Sequence, residues 1–63
     1  MLIITDVSPR YPIHARNGNH VFRVRDKLGT VTNIAIPDWC LSSPNFDLYA
    51  TLESEFMRAK APA

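Results

Sequence analysis

The sequence predicts an α+β fold: a two-layer unit in which a four-stranded antiparallel β-meander carries one C-terminal α-helix packed on one face. A three-stranded sheet is the alternative. Three observations lead there. Runs rich in β-branched residues are separated by two glycine turns, at Asn17-Gly18 and Lys27-Leu28-Gly29. The registers implied by the two turns sort the side chains into the same two faces. After Pro44 the apolar residues recur at helical spacing.

Taken in order, the first strand covers about 2–7, where Leu2-Ile3-Ile4-Thr5 is apolar and β-branched and Ser8-Pro9 then turns the chain. The second strand covers about 11–16. Asn17-Gly18 follows as a two-residue type I′ loop, a turn that needs positive φ at both positions. The third strand covers about 19–26. Its loop, Lys27-Leu28-Gly29, is a type I turn with a glycine bulge, pairing Arg25 with Val31, Val24 with Thr32, Arg23 with Asn33 and Phe22 with Ile34. The fourth strand covers about 30–36. One sheet face then carries Ile13, Ala15, His20, Phe22, Val24, Ile34 and Ile36. The other carries His14, Arg16, Asn19, Val21, Arg23, Arg25, Val31, Asn33 and Ala35. Side chains alternate strictly along a strand, so a one-residue slip in either hairpin would destroy this division. Where the first strand pairs is left open: either edge of the sheet or a second chain would serve.

Pro37 ends the last strand, and Asp38-Trp39-Cys40-Leu41 forms a tight turn or one helical turn. The helix then spans about 44–59, with Ser43 as N-cap, Pro44 at its first position, Asp47 in its first turn and Arg58 and Lys60 near its end. Its apolar residues spread over about 200°, wider than the stripe of somewhat over 100° that one sheet face requires. Glu53 and Lys60 intrude on that arc. Either Trp39 and the first strand cover the surplus, or Leu48, Leu52 and Phe56 form the surface of a homodimer.

Size and composition narrow the function. A chain of 63 residues reads as one domain over 1–63. Domains this small bury only about 60% of the surface exposed by the unfolded chain, so they are marginally stable unless braced. Cys40 is the single cysteine, which excludes a disulfide within the chain and fits a reducing, cytoplasmic setting. The start at Met1 has no basic leader and Asp6 interrupts its apolar run, so the chain reads as a complete small protein without a signal peptide. No stretch reaches the roughly 18 apolar residues of a membrane span, and no membrane association is expected.

Catalysis has little basis. There is no G-x-S-x-G, H-E-x-x-H or paired-cysteine motif, and Gly18 and Gly29 are both used in turns, leaving no phosphate-cradling loop. Cys40, between Trp39 and Leu41, suits a buried small hydrophobe better than a nucleophile. His14 and His20 point to opposite faces, so no zinc site can be assembled. The expectation is a non-enzyme with no cofactor and no metal.

Charge is more informative. The formal net charge is only +1. It is nonetheless polarised: residues 1–30 hold Arg10, Arg16, Arg23, Arg25 and Lys27 against Asp6 and Asp26, a net +3. Residues 31–63 hold Arg58 and Lys60 against Asp38, Asp47, Glu53 and Glu55, a net −2. Arg16, Arg23, Arg25, Asn33 and His14 share the face away from the helix, and the Ser8–Pro12 loop adds Arg10 and Tyr11. Arginine pairs bidentately with carboxylates, and Arg and Tyr are enriched in protein interfaces. These seven residues are the candidate partner-binding set. The expected function is a protein-interaction module, a small accessory regulator or inhibitor docking on a larger partner protein. Chains of this length include such proteins of phages and mobile elements. The alternative is a nucleic-acid-binding module that applies the arginine face to phosphates and base edges. Against that alternative stand the small basic excess and the absence of an aromatic stacking platform.

Overall fold

Pro9 and Pro12 set the course of the chain after its first strand. The computed structural model of the protein describes residues 1–60. Strand β1 (Ile3–Asp6) leads into a 3-10 turn over Ser8–Arg10 and a short helix α1 (Pro12–Arg16). Strands β2 (Asn19–Arg25) and β3 (Val31–Pro37) follow, then helix α2 (Asp38–Leu41) and helix α3 (Leu48–Lys60). The sheet is antiparallel with strand order β1-β2-β3, so the architecture of the described residues is α+β with a three-stranded sheet.

The strand expected over 11–16 is replaced by α1. Both prolines lie in the first turns of their helical segments, where a missing N–H costs nothing and φ is preset. The Asn-Gly pair then ends a helix instead of turning a hairpin. Asn17 has φ −88°, and only Gly18 is left-handed, at +77°. The Asn17 N–H donates to the carbonyls of Ile13 and His14, and the Gly18 N–H donates to that of Ala15. These bonds satisfy the last helical carbonyls in the manner of a glycine C-cap. With no strand at 11–16, the first edge of β2 goes to β1, pairing Ile3 with Arg25 and Thr5 with Arg23.

The second turn forms as its sequence predicts. Gly29 has φ +90°, its N–H donates to the Asp26 carbonyl, and the Asp26 N–H donates to the Thr30 carbonyl. Arg25 faces Val31, Val24 faces Thr32, Arg23 faces Asn33 and Phe22 faces Ile34, which is the expected register. Asp26 reinforces the turn, accepting from the N–H groups of Leu28 and Thr30 on Oδ1 and from Lys60 Nζ on Oδ2 at 2.8 Å. Lys60, an intruder on the apolar arc of the helix, thereby ties the end of α3 to the β2–β3 turn.

Residues 38–41 form the expected single helical turn. Helix α3 starts four residues later than the Ser43-Pro44 signal implies. Asp47 is its cap: Oδ1 accepts from the Ala50 N–H at 3.0 Å, and aspartate is among the best N-cap residues.

The core cluster joins Phe22 and Val24 of β2, Ile36 of β3, and Leu52 and Phe56 of α3, with Leu2, Ile4, Ile34, Cys40, Leu41, Phe46 and Leu48 packed around it. Two expectations change here. Leu52 and Phe56 are fully buried and Leu48 packs against them, so these three are used inside the chain and do not form a free dimer surface. Trp39, expected to cover surplus helix surface, is 76% exposed. Among the described residues, no helix is long and apolar enough to cross a membrane.

Candidate docking face

Alternation along the strands puts Ile3 and Thr5 of β1, Val21, Arg23 and Arg25 of β2, and Val31, Asn33 and Ala35 of β3 on the sheet face opposite the core cluster. The two ends of this face differ. At one end the Ser8–Arg16 segment covers Val21. The Val7 N–H donates to the Val21 carbonyl at 2.9 Å, the Val21 N–H donates to Ser8 Oγ at 3.0 Å, and both valines are buried.

Beside this cover, the Asn33 amide links two candidate residues. Its Nδ2 donates to the Tyr11 hydroxyl at 2.9 Å, and its Oδ1 accepts from Arg23 Nε at 3.3 Å. The Tyr11 ring is in turn met edge-on by His14, with centroids 6.2 Å apart. Tyr11 and Asn33 thus hold the Arg23 guanidinium across β3 while leaving its terminal nitrogens free.

At the other end the face is open. Ile3, Thr5, Arg23, Arg25, Val31 and Asn33 line a groove of about 480 Å³. Ile3 and Val31 are each about half exposed, 52% and 50%, so apolar surface flanks the two arginines.

The electrostatics of the groove follow from where the carboxylates are. Among the described residues, ion pairs join His20 to Asp38, Arg58 to Glu55 and Lys60 to Asp26. Asp6 accepts from the Ser8 N–H at 2.9 Å, and hydrogen bonding from the Ser8 side chain and backbone holds its carboxyl below the usual range. Arg10, Arg16, Arg23 and Arg25 have no carboxylate within 4.0 Å among the described residues. The cations of α3 are therefore matched within the chain, whereas those of the sheet face and its cover are not.

Of the seven residues singled out from sequence, Arg23, Asn33 and Tyr11 form one hydrogen-bonded line, and Arg25 sits beside them in the groove. Arg10 belongs to the 3-10 turn, and His14 and Arg16 belong to α1. The sequence places Arg16 and His14 on the sheet face as members of a strand. As helix residues they flank the face and do not line its groove. Ile3 and Thr5 were missed, although their alternation with Leu2 and Ile4 carried the signal. Placing them required knowing that β1 pairs with β2.

No three His, Cys, Asp or Glu side chains converge as a metal site among the described residues. No protein-family model matches the chain, and no curated protein or solved structure is significantly similar to it.

Proposed function

We propose that this is a non-catalytic cytoplasmic interaction protein, a small regulator or inhibitor that docks its arginine-bearing sheet face on an acidic surface of a larger protein. One observation carries the reading: Arg23 and Arg25 share an open groove with half-exposed Ile3 and Val31, and no carboxylate of the described residues pairs with them. Arginines flanked by apolar side chains suit a protein partner, where guanidinium–carboxylate pairs and apolar burial act together. A nucleic acid would be better served by aromatic stacking surfaces and a larger basic excess. The groove lining has no aromatic residue, and the net charge is +1.

The test is a photo-cross-linking residue placed at Val31 in the groove, and separately at exposed Glu53 on α3, in cells producing the protein. The expected result is a defined acidic protein captured from position 31 but not from 53, and lost when Arg23→Glu and Arg25→Glu are combined. Nucleic acid captured from position 31 would establish the alternative. Identical capture from both positions would refute docking through this face.

A further inference from the structure

The hydrogen-bond phase of the sheet identifies which backbone groups are free. In an antiparallel ladder, successive residues of a strand direct their N–H and C=O groups to opposite neighbours. Val7 bonds Val21, whereas Asp26 bonds Thr30 and the Asp38 N–H donates to the Gly18 carbonyl at 2.7 Å. Residues 21, 23 and 25 of β2 therefore serve β1, and residues 20, 22 and 24 serve β3. By the same alternation Thr32, Ile34 and Ile36 face β2, and the backbone groups of Val31, Asn33 and Ala35 point away from the sheet. No described residue hydrogen-bonds to them.

The two edges of the sheet are unlike. Strand β1 ends in the charged Asp6, which is engaged by Ser8, and the Leu2 N–H before it donates to the Tyr49 hydroxyl at 3.3 Å. Strand β3 reads Val-Thr-Asn-Ile-Ala-Ile-Pro, with no charge, and only Pro37 interrupts it at its end. Natural sheets usually protect an edge with charge, proline, a bulge or a covering segment, because an open edge is a template for another strand.

We propose that the partner supplies an extended strand that adds to the outer edge of β3, with acidic side chains at alternate positions that pair with Arg23 and Arg25. This deepens the docking reading and rests on it. An added strand lies about 4.8 Å beyond β3, and its alternate side chains stand on the arginine face. Arg23 is already drawn across β3 by its bond to Asn33, toward that position. The intervening side chains stand beside partly buried Thr32 and Ile34 on the core side, which favours apolar residues there. The recognised pattern is thus acidic–apolar–acidic–apolar, with main-chain bonds providing affinity and the arginines selecting charge.

The experiment uses a labelled seven-residue peptide of alternating Glu and Val, followed by fluorescence anisotropy. Two further peptides carry N-methyl groups at the glutamates or at the valines. The expected result is saturable binding that falls at least tenfold in Arg23→Ala/Arg25→Ala and in Ala35→Pro, and with only one of the methylated peptides. Proline at 35 removes an outward N–H and leaves the β2 ladder intact, and circular dichroism verifies folding of each variant. Binding that needs the arginines but ignores Ala35→Pro and both methylations overturns strand addition while leaving face docking in place. Binding indifferent to the arginines, or none at all, overturns both. Displacement of the peptide by random-sequence duplex DNA at lower concentration assigns the face to nucleic acid and overturns both. A dimer converted to monomer by Ala35→Pro in sedimentation shows that a second copy occupies the edge, and overturns the proposal.

Discussion

The two faces of the sheet are finished by different means. On one, Phe22, Val24 and Ile36 meet Leu52 and Phe56, and apolar burial holds the assembly. On the other, the covering segment buries Val7 and Val21, and no side chain of α1 is buried. What holds that cover is polar: the Ser8 hydroxyl on the Val21 N–H and the Tyr11 hydroxyl on Asn33. Ile13, at its centre, is 66% exposed. Stability is thus concentrated on one face, and the side chains at the open end of the other are free of packing demands. The arginines there have no carboxylate partner among the described residues, and the fold is expected to depend on them little.

The largest effect should come from emptying the packed face. Phe56 has no exposed surface, and truncating a buried phenylalanine costs about 3–5 kcal/mol. A single core in a domain this small rarely supplies more than about 3–5 kcal/mol in all. Phe56→Ala should therefore abolish the cooperative urea transition seen by circular dichroism. Ile13→Ala on the cover should leave it in place. Equal losses would mean that both faces carry the fold.

Next in size is the polar latch of the cover. Ser8→Ala leaves the N–H of buried Val21 without its acceptor, and an orphaned buried donor costs about 1–3 kcal/mol. Faster hydrogen exchange at the Val21 amide, with the core amides of Phe22 and Val24 changed only by the global loss, is the expected signature. Unchanged exchange at Val21 would show that the hydroxyl is not what closes this end.

The same contrast explains what could be read from the sequence. The packed face was legible because its signals agree: Asp26 to Thr30 permits one turn geometry, and that turn brings Phe22, Val24 and Ile36 onto one face with the helix pattern from Leu48 onward to meet them. The cover was not legible. Pro12 and Asn17-Gly18 are as suitable for starting and capping a helix as for an extended run and a hairpin, and five residues give too little periodicity to separate the two. That one ambiguity displaced Arg16 and His14 from the groove and hid Ile3 and Thr5, because it also decided which strand borders β2. Arg23, Arg25 and Asn33 survived it, since they depend only on the second turn.

A smaller effect is expected at the β2–β3 turn. The Lys60 ammonium bonded to Asp26, aided by the N–H groups of Thr30 and Leu28, holds that carboxyl below the ordinary range. A folded-state value depressed in this way gives stability that is fully present above the unfolded value, about 3.9, and is lost as pH falls through the folded one. Thermal stability should thus be level from neutral pH down to about 4 and decline below it. In Lys60→Met the decline should be shallower, with the part due to Asp6 and Ser8 retained. A decline identical in both proteins would show that Lys60 does not hold the Asp26 carboxylate.

The smallest effect on stability should come from Arg23 and Arg25, the residues proposed to meet the partner. Arg23 and Arg25 have no carboxylate partner among the described residues, and Arg23 makes one long bond to Asn33. Arg25 is exposed and Arg23 half-buried, and surface substitutions of this kind usually stay within about 0.5 kcal/mol each. Arg23→Ala with Arg25→Ala should leave the urea midpoint nearly unchanged, and removing two neighbouring like charges can even raise it. A neutral or stabilising outcome would show that the fold does not depend on the two arginines, as the docking proposal requires. A loss approaching that of Ser8→Ala would instead make them part of the cover's polar latch, and the division between a structural face and a binding face would not hold.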